Sequence, residues 1–122
     1  MALTKSRTSI WNGTTLTAGA GDTTSSAQDL SAVYESQVDI KITNGATGPT
    51  VPAQCQIQVA ADSGGTLYVN FGGPLVANLG NSIVTSWSID IPIGVASLQL
   101  VAGSNTAQNV TISADISTVT GV

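Results

Sequence analysis

The chain is predicted to fold as an all-β protein: an antiparallel β-sandwich, Greek-key or jelly-roll-like, with a short extended N-terminal arm. Three observations predict it. Six segments alternate apolar and polar residues with period two, the pattern of half-buried antiparallel strands. Val and Ile dominate the apolar set, and their stiff β-branched side chains suit a pleated surface. Clusters of Gly, Pro, Asn and Asp punctuate the segments, with no long helical pattern between them.

Taken in order, residues 1–9 are small, polar and unpatterned, and are predicted as an arm. Residues 10–122 are predicted as a single sandwich domain, a length that suits one core. A short strand is expected from Ile10 to Thr17, with Asn12-Gly13 as a turn or bulge. Residues 18–32 are a Gly/Ser/Thr-rich connection, with one helical turn expected near Ser26 to Leu30. In residues 33–43, Tyr34, Val38, Ile40 and Ile42 share one face, opposite Glu35, Gln37, Asp39 and Lys41. Ala53, Cys55, Ile57 and Val59 then alternate with Gln54, Gln56 and Gln58. Leu67, Val69 and Phe71 alternate with Tyr68 and Asn70. Ile83, Trp87, Ile89 and Ile91 alternate with Ser86, Ser88 and Asp90. Leu98 and Leu100 oppose Ser97 and Gln99, and Val110, Ile112, Ala114 and Ile116 alternate with Thr111, Ser113, Asp115 and Ser117. The stretch from Gly72 to Ser82 is too long for a tight hairpin and is expected to cross between sheets.

Charge is scarce. Hydrophobic residues make up 42% of the chain and charged residues 8%, against roughly a quarter charged in ordinary soluble domains. Ser, Thr, Asn, Gln and Gly must supply the surface polarity. Such a surface is easier to desolvate than an ionic one, which suits a subunit covered by neighbours; a secreted, adhesin-like module shares the composition. The net charge of −4 argues against a nucleic-acid partner, because phosphate binding needs clustered Lys and Arg. Lys5 and Arg7 are two of the three basic residues. They form a short basic arm on an acidic body and are the candidate contacts to an acidic surface. In the strand region Lys41 is the only Lys and Pro lies only in connections. The edges therefore lack common guards against strand pairing, which points to a closed homo-oligomer or to docking on a lattice.

No chemistry-bearing constellation emerges. Without His there is no Ser-His-Asp or Cys-His nucleophile and no His-based metal site. Cys55, the lone cysteine, excludes an intrachain disulfide and reads as a small core hydrophobe. Asp22, Asp29, Glu35, Asp39, Asp62, Asp90 and Asp115 are the carboxylates available for paired acid-base work. Asp22 and Asp62 stand in predicted turns, where Asp caps backbone, and Asp39, Asp90 and Asp115 stand on polar strand faces. Ala61-Asp62-Ser63-Gly64-Gly65 lacks the ligand set for calcium, and the Gly pairs match no nucleotide loop. No catalytic residue, cofactor or metal is expected. The start MALTKSRTSIW has no apolar run of the signal-peptide kind, and no segment reaches membrane-spanning length. The expected site of synthesis is a cytoplasm, with no membrane role.

NFGGPLV (Asn70 to Val76), TSWSIDIPIG (Thr85 to Gly94), LQLVAGSNTAQNVTISADIS (Leu98 to Ser117) and IKITNGATGPTVPAQCQIQV (Ile40 to Val59) resemble small β-sandwich decoration, or cement, proteins of tailed-phage capsids. The resemblance implies a structural virion protein, often a trimer, that sits at symmetry axes of the head. It clamps neighbouring major capsid proteins against internal DNA pressure. It carries over no individual interface residue and no catalytic one. The rival expectation is a carbohydrate- or receptor-binding module of a head or tail fibre. For that, Tyr68 and Trp11 would be exposed and close together as stacking platforms.

Overall fold

The computed structural model describes residues 2–121. Ten strands form: β1 (Leu3–Leu16), β2 (Thr23–Thr24), β3 (Gln28–Asp29), β4 (Val33–Asn44), β5 (Gln54–Ala60), β6 (Val69–Asn70), β7 (Leu75–Val76), β8 (Val84–Ile91), β9 (Ser97–Gly103) and β10 (Val110–Gly121). One sheet has the order β1-β10-β4-β8. In the other, β9 and β5 are central, with β2 and β3 flanking β9 and β6 and β7 flanking β5. Every pairing is antiparallel. The chain passes from one sheet to the other at six of its nine connections, and this order is that of a jelly roll.

The period-two pattern explains which side chains meet between the sheets. Val38, Ile40 and Ile42 of β4 and Ile112, Ala114 and Ile116 of β10 face Cys55 and Ile57 of β5 and Leu98, Leu100 and Ala102 of β9, all buried. Each large side chain removed from water stabilises the fold by about 1.5–3 kcal/mol. Apart from Ser97, which is buried, their polar alternates keep some exposure, as the sequence predicts. Residues 72–82 cross between sheets as expected: β7 pairs with β5, and the chain then enters β8 in the other sheet.

Three expectations are corrected. The segment 26–30 makes no helical turn: Gln28 and Asp29 pair with Leu98 and Ser97. The strand expected from Ile10 begins at Leu3, and residues 3–9 pair in register with Gly121 to Asp115. A partner strand supplies backbone hydrogen bonds, so regular structure needs no apolar pattern there. Finally, Leu67 and Val69 are exposed, at 72% and 54%. Tyr68 turns inward instead, its hydroxyl bonded to the buried Ser97 Oγ at 2.6 Å.

Polar side chains close the gaps where strands break. Between β2 and β3 the Leu100 N–H donates to Ser25 Oγ at 2.9 Å, while the Ser25 N–H donates to the Leu100 carbonyl at 2.8 Å. At one end of the sandwich, buried Asn44 donates to the carbonyls of Asn78 and Gly80. Nearby, buried Asn105 donates to those of Leu16 and Gln108. These amides pin the crossover and the β9–β10 loop to the core.

Candidate interaction surface

Beyond Val38 and Ile116 the four-stranded sheet outruns its partner. Residues 2–9 are exposed at every position, residues 117–121 of β10 are all partly exposed, and no residue of 33–37 is buried. Alternation of burial fades there because the second sheet covers this end only in part, with Val33 still packed against the core. Strand ends of β1, β10, β4 and β8 line an open groove of about 790 Å³, with Lys5, Arg7, Tyr34, Gln37, Asp90 and Ile93 among the lining residues. Tyr34 is 49% and Ile93 71% exposed. Tyr34, expected on the core-facing side, instead lies against Gly121. A register shift between Val119 and Thr120, which pair with Glu35 and Val33, takes it out of the alternation.

Register sets the electrostatics of the outer face. Asp115 and Asp39 stand directly opposite each other on β10 and β4, an arrangement that destabilises when uncompensated. Arg7 Nε donates to Asp115 Oδ2 at 2.9 Å, and the two side chains form an ion pair. Asp39 Oδ1 accepts from Gln37 Nε2 at 3.1 Å and from Ser88 Oγ at 2.6 Å. Arg7, one of the two predicted contact residues, is thus held by its own sheet, with its side chain still 68% exposed. Such an exposed pair contributes about 0–1 kcal/mol. Lys5, the other, lies two residues earlier, exposed; among the described residues the single ion pair is Arg7–Asp115.

The outer face of the second sheet carries amides instead of ions. Gln99 donates to Gln58 at 2.8 Å and Gln58 to Asn70 at 3.2 Å, a ladder across three strands. Sequence reasoning named these glutamines as polar alternates. It missed the ladder, because cross-strand register is set by distant chain segments.

The remaining candidates disperse. Asp29 caps the Ser31 N–H at 2.9 Å, and this bond holds its carboxyl below the ordinary value. Asp62 accepts from the Thr66 hydroxyl at 2.7 Å and from the Thr66 N–H, which likewise lower its pKa. Among the described residues no three of His, Cys, Asp or Glu gather as a metal-holding group, and no helix is long and apolar enough to cross a membrane. Cys55 is fully buried, and burial pushes its thiol up to about 12. Trp11 is 9% exposed and belongs to the core. With Tyr68 half-buried and tied to Ser97, the two make no exposed stacking platform.

No family model and no curated protein sequence matches the chain. Among solved structures it is similar to the infectious bursal disease virus Gx strain structure, at a TM-score of 0.61 and 10% identity over 97% of this chain. It is equally similar to a VP2 subviral particle of infectious bursal disease virus, with the same score and identity. The chain spans about a third of the length of these viral chains, 32% and 33%. A subunit of Bacillus endospore appendages, described as disulfide-linked pili, matches at a TM-score of 0.50 and 12% identity, covering 98% of this chain and 89% of that one. At these identities the likeness is one of fold.

Proposed function

We propose that this protein is a structural virion protein: a decoration, or cement, protein that binds the major capsid protein lattice of a phage head as a homo-oligomer, with a trimer favoured. The observation that carries the reading is the overhanging end of the four-stranded sheet, rich in hydroxyls and amides and with no residue of 2–9, 33–37 or 117–121 buried. A surface of hydroxyls and amides loses little on desolvation, so several modest contacts per oligomer can add through avidity. The folds it resembles come from a viral particle and from a pilus, both built of repeated copies, which supports an assembly role. Disulfide linkage of the pilus kind has no counterpart here, since the lone cysteine is buried. Lys5 and Arg7 are the proposed capsid contacts, on the exposed half of β1. The reading assigns no enzymatic activity, cofactor, nucleic-acid partner or membrane role, and the proposed location is the capsid surface.

The test is co-sedimentation of the purified protein with shells of the cognate major capsid protein. Saturable binding, weakened by Lys5→Glu with Arg7→Glu, is the expected result. Absence of binding to mature shells would remove the decoration reading. A carbohydrate-binding role finds no support in the positions of Trp11 and Tyr68, and a glycan array that stays blank is expected.

A further inference from the structure

The two sheets treat their edges differently. The six-stranded sheet is bordered by pieces of two residues each, β2 and β3 on one side and β6 and β7 on the other. Very short edge strands are a recognised guard against pairing with another chain. The four-stranded sheet is bordered instead by β1, fourteen residues long, and β8, eight residues long. Neither contains Pro, and β8 contains no Lys. Register shifts interrupt β1 between Ser9 and Thr14, which leaves Leu3 to Ser9 as its regular stretch. Both open edges carry a row of backbone donors and acceptors that no strand satisfies.

We propose that copies of this chain join head to tail by continuing the four-stranded sheet, Ser88–Ile91 on the free edge of β8 in one copy pairing with Ser6–Ser9 of β1 in the next. The proposal rests on the assembly reading above and specifies its self-contact. Strand direction permits it. The strands alternate across β1-β10-β4-β8, and because four is even, a laterally placed second copy presents its β1 antiparallel to β8. The alternation of hydrogen-bonded and non-bonded pairs continues across the junction for the same reason.

Charge selects the head-to-tail pairing over the same-edge ones. Arg7, Ser117, Gln37 and Asp90 form one row across the sheet, on one face, with Arg7 at one edge and Asp90 at the other. A flush lateral step therefore sets Asp90 of one copy directly opposite Arg7 of the next, with Lys5 on the diagonal. Opposite charges in both positions favour the pairing. Joining β1 to β1 would collect the Lys5 and Arg7 of both copies, and joining β8 to β8 would offer Asp90 no cation. Such a contact is heterologous, so it closes into a ring when the rotation per copy allows, as the proposed trimer requires.

A double variant, Arg7→Cys with Asp90→Cys, tests the geometry in the full-length chain. Within one copy these positions lie three strand spacings apart, about 14 Å, beyond the roughly 7 Å Cα separation a disulfide bridges. Cys55 is buried and does not compete. Mild oxidation is expected to yield chains linked through both edges, three or more copies long or cyclic, while each single variant stops at dimers. In parallel, light scattering across a wide concentration range is expected to show association that weakens about tenfold or more on Asp90→Lys alone or on Lys5→Glu with Arg7→Glu. All three substitutions on one chain restore it. Restoration separates a head-to-tail contact from a same-edge one, where the triple variant still opposes like charges. A chain that stays monomeric, or association indifferent to every swap, overturns the proposal. So does linkage of the engineered cysteines to a shell protein in place of a second copy. If linking fails while shells still bind, the decoration reading stands alone; if linking succeeds without shell binding, that reading fails and the self-contact remains.

Discussion

Cys55 shows how burial decides reactivity. Its pKa is raised to about 12 by desolvation, so the folded state keeps a proton that the unfolded chain releases near pH 9. The sign follows: the contribution to stability is complete below pH 9 and is lost as pH rises from there towards 12. The unfolding free energy read from denaturant curves should fall over that window by at most about 1.4 kcal/mol per pH unit, and Cys55→Ala should flatten the slope. A native-state thiol assay should likewise show labelling at the rate of unfolding. Backbone strain offers a second test. Ala107 holds a φ of 73° in the β9–β10 loop, a region that disfavours any residue with a Cβ. Ala107→Gly should leave thermal stability unchanged or raise it by up to about 1 kcal/mol. Gly48 illustrates the opposite case, since an added Cβ would run into the Gly80 backbone carbonyl. Gly48→Ala should therefore lower the melting temperature, because two backbones rather than a flexible side chain must move apart.

Among the elements, β4 and β10 carry the four-stranded sheet and β5 and β9 the other. Ile40 and Leu100 are buried on central strands, and Ile40→Ala or Leu100→Ala should each cost about 2–5 kcal/mol in urea unfolding. Ser25→Ala should cost about 1–3 kcal/mol despite its modest size, because it leaves the Leu100 N–H without an acceptor. The stretches that alternate most regularly, 38–44, 54–58 and 110–116, were legible in the sequence because each has one face against the core. Residues 3–9 were not. Their regular structure comes from pairing with β10, more than a hundred residues later, and leaves no apolar period to read. The inversion at Leu67 to Val69 was equally illegible, since β6 pairs over only two residues and the Tyr68 hydroxyl bonds inward to Ser97.

On the scale of the whole molecule, nearly all pairing joins distant segments, with β1 on β10 and β4 on β10 as the longest ladders. Loops must close before those contacts form, so refolding should be slow for a chain of this length, roughly milliseconds to seconds by stopped-flow fluorescence of Trp11 and Trp87. A microsecond phase carrying the full amplitude would contradict that topology. The division of labour between the sheets follows from the same arrangement. One sheet is bordered by fragments and carries an uncharged amide ladder, while the other has long borders and an end, covered only in part, bearing Lys5, Arg7 and Asp90.

By itself the sequence determined that the protein is an antiparallel sandwich, which residues of its central strands face the interior, and that it holds no histidine. These follow from local period and composition, which each segment displays alone. Tertiary structure decided that the basic N-terminal residues lie in a paired strand, that Trp11 is core while Tyr34 is exposed, and that Arg7 and Asp90 occupy one row at opposite edges of a sheet. Those facts depend on register between strands far apart in the chain, and register is a property of the packed whole that no single segment encodes.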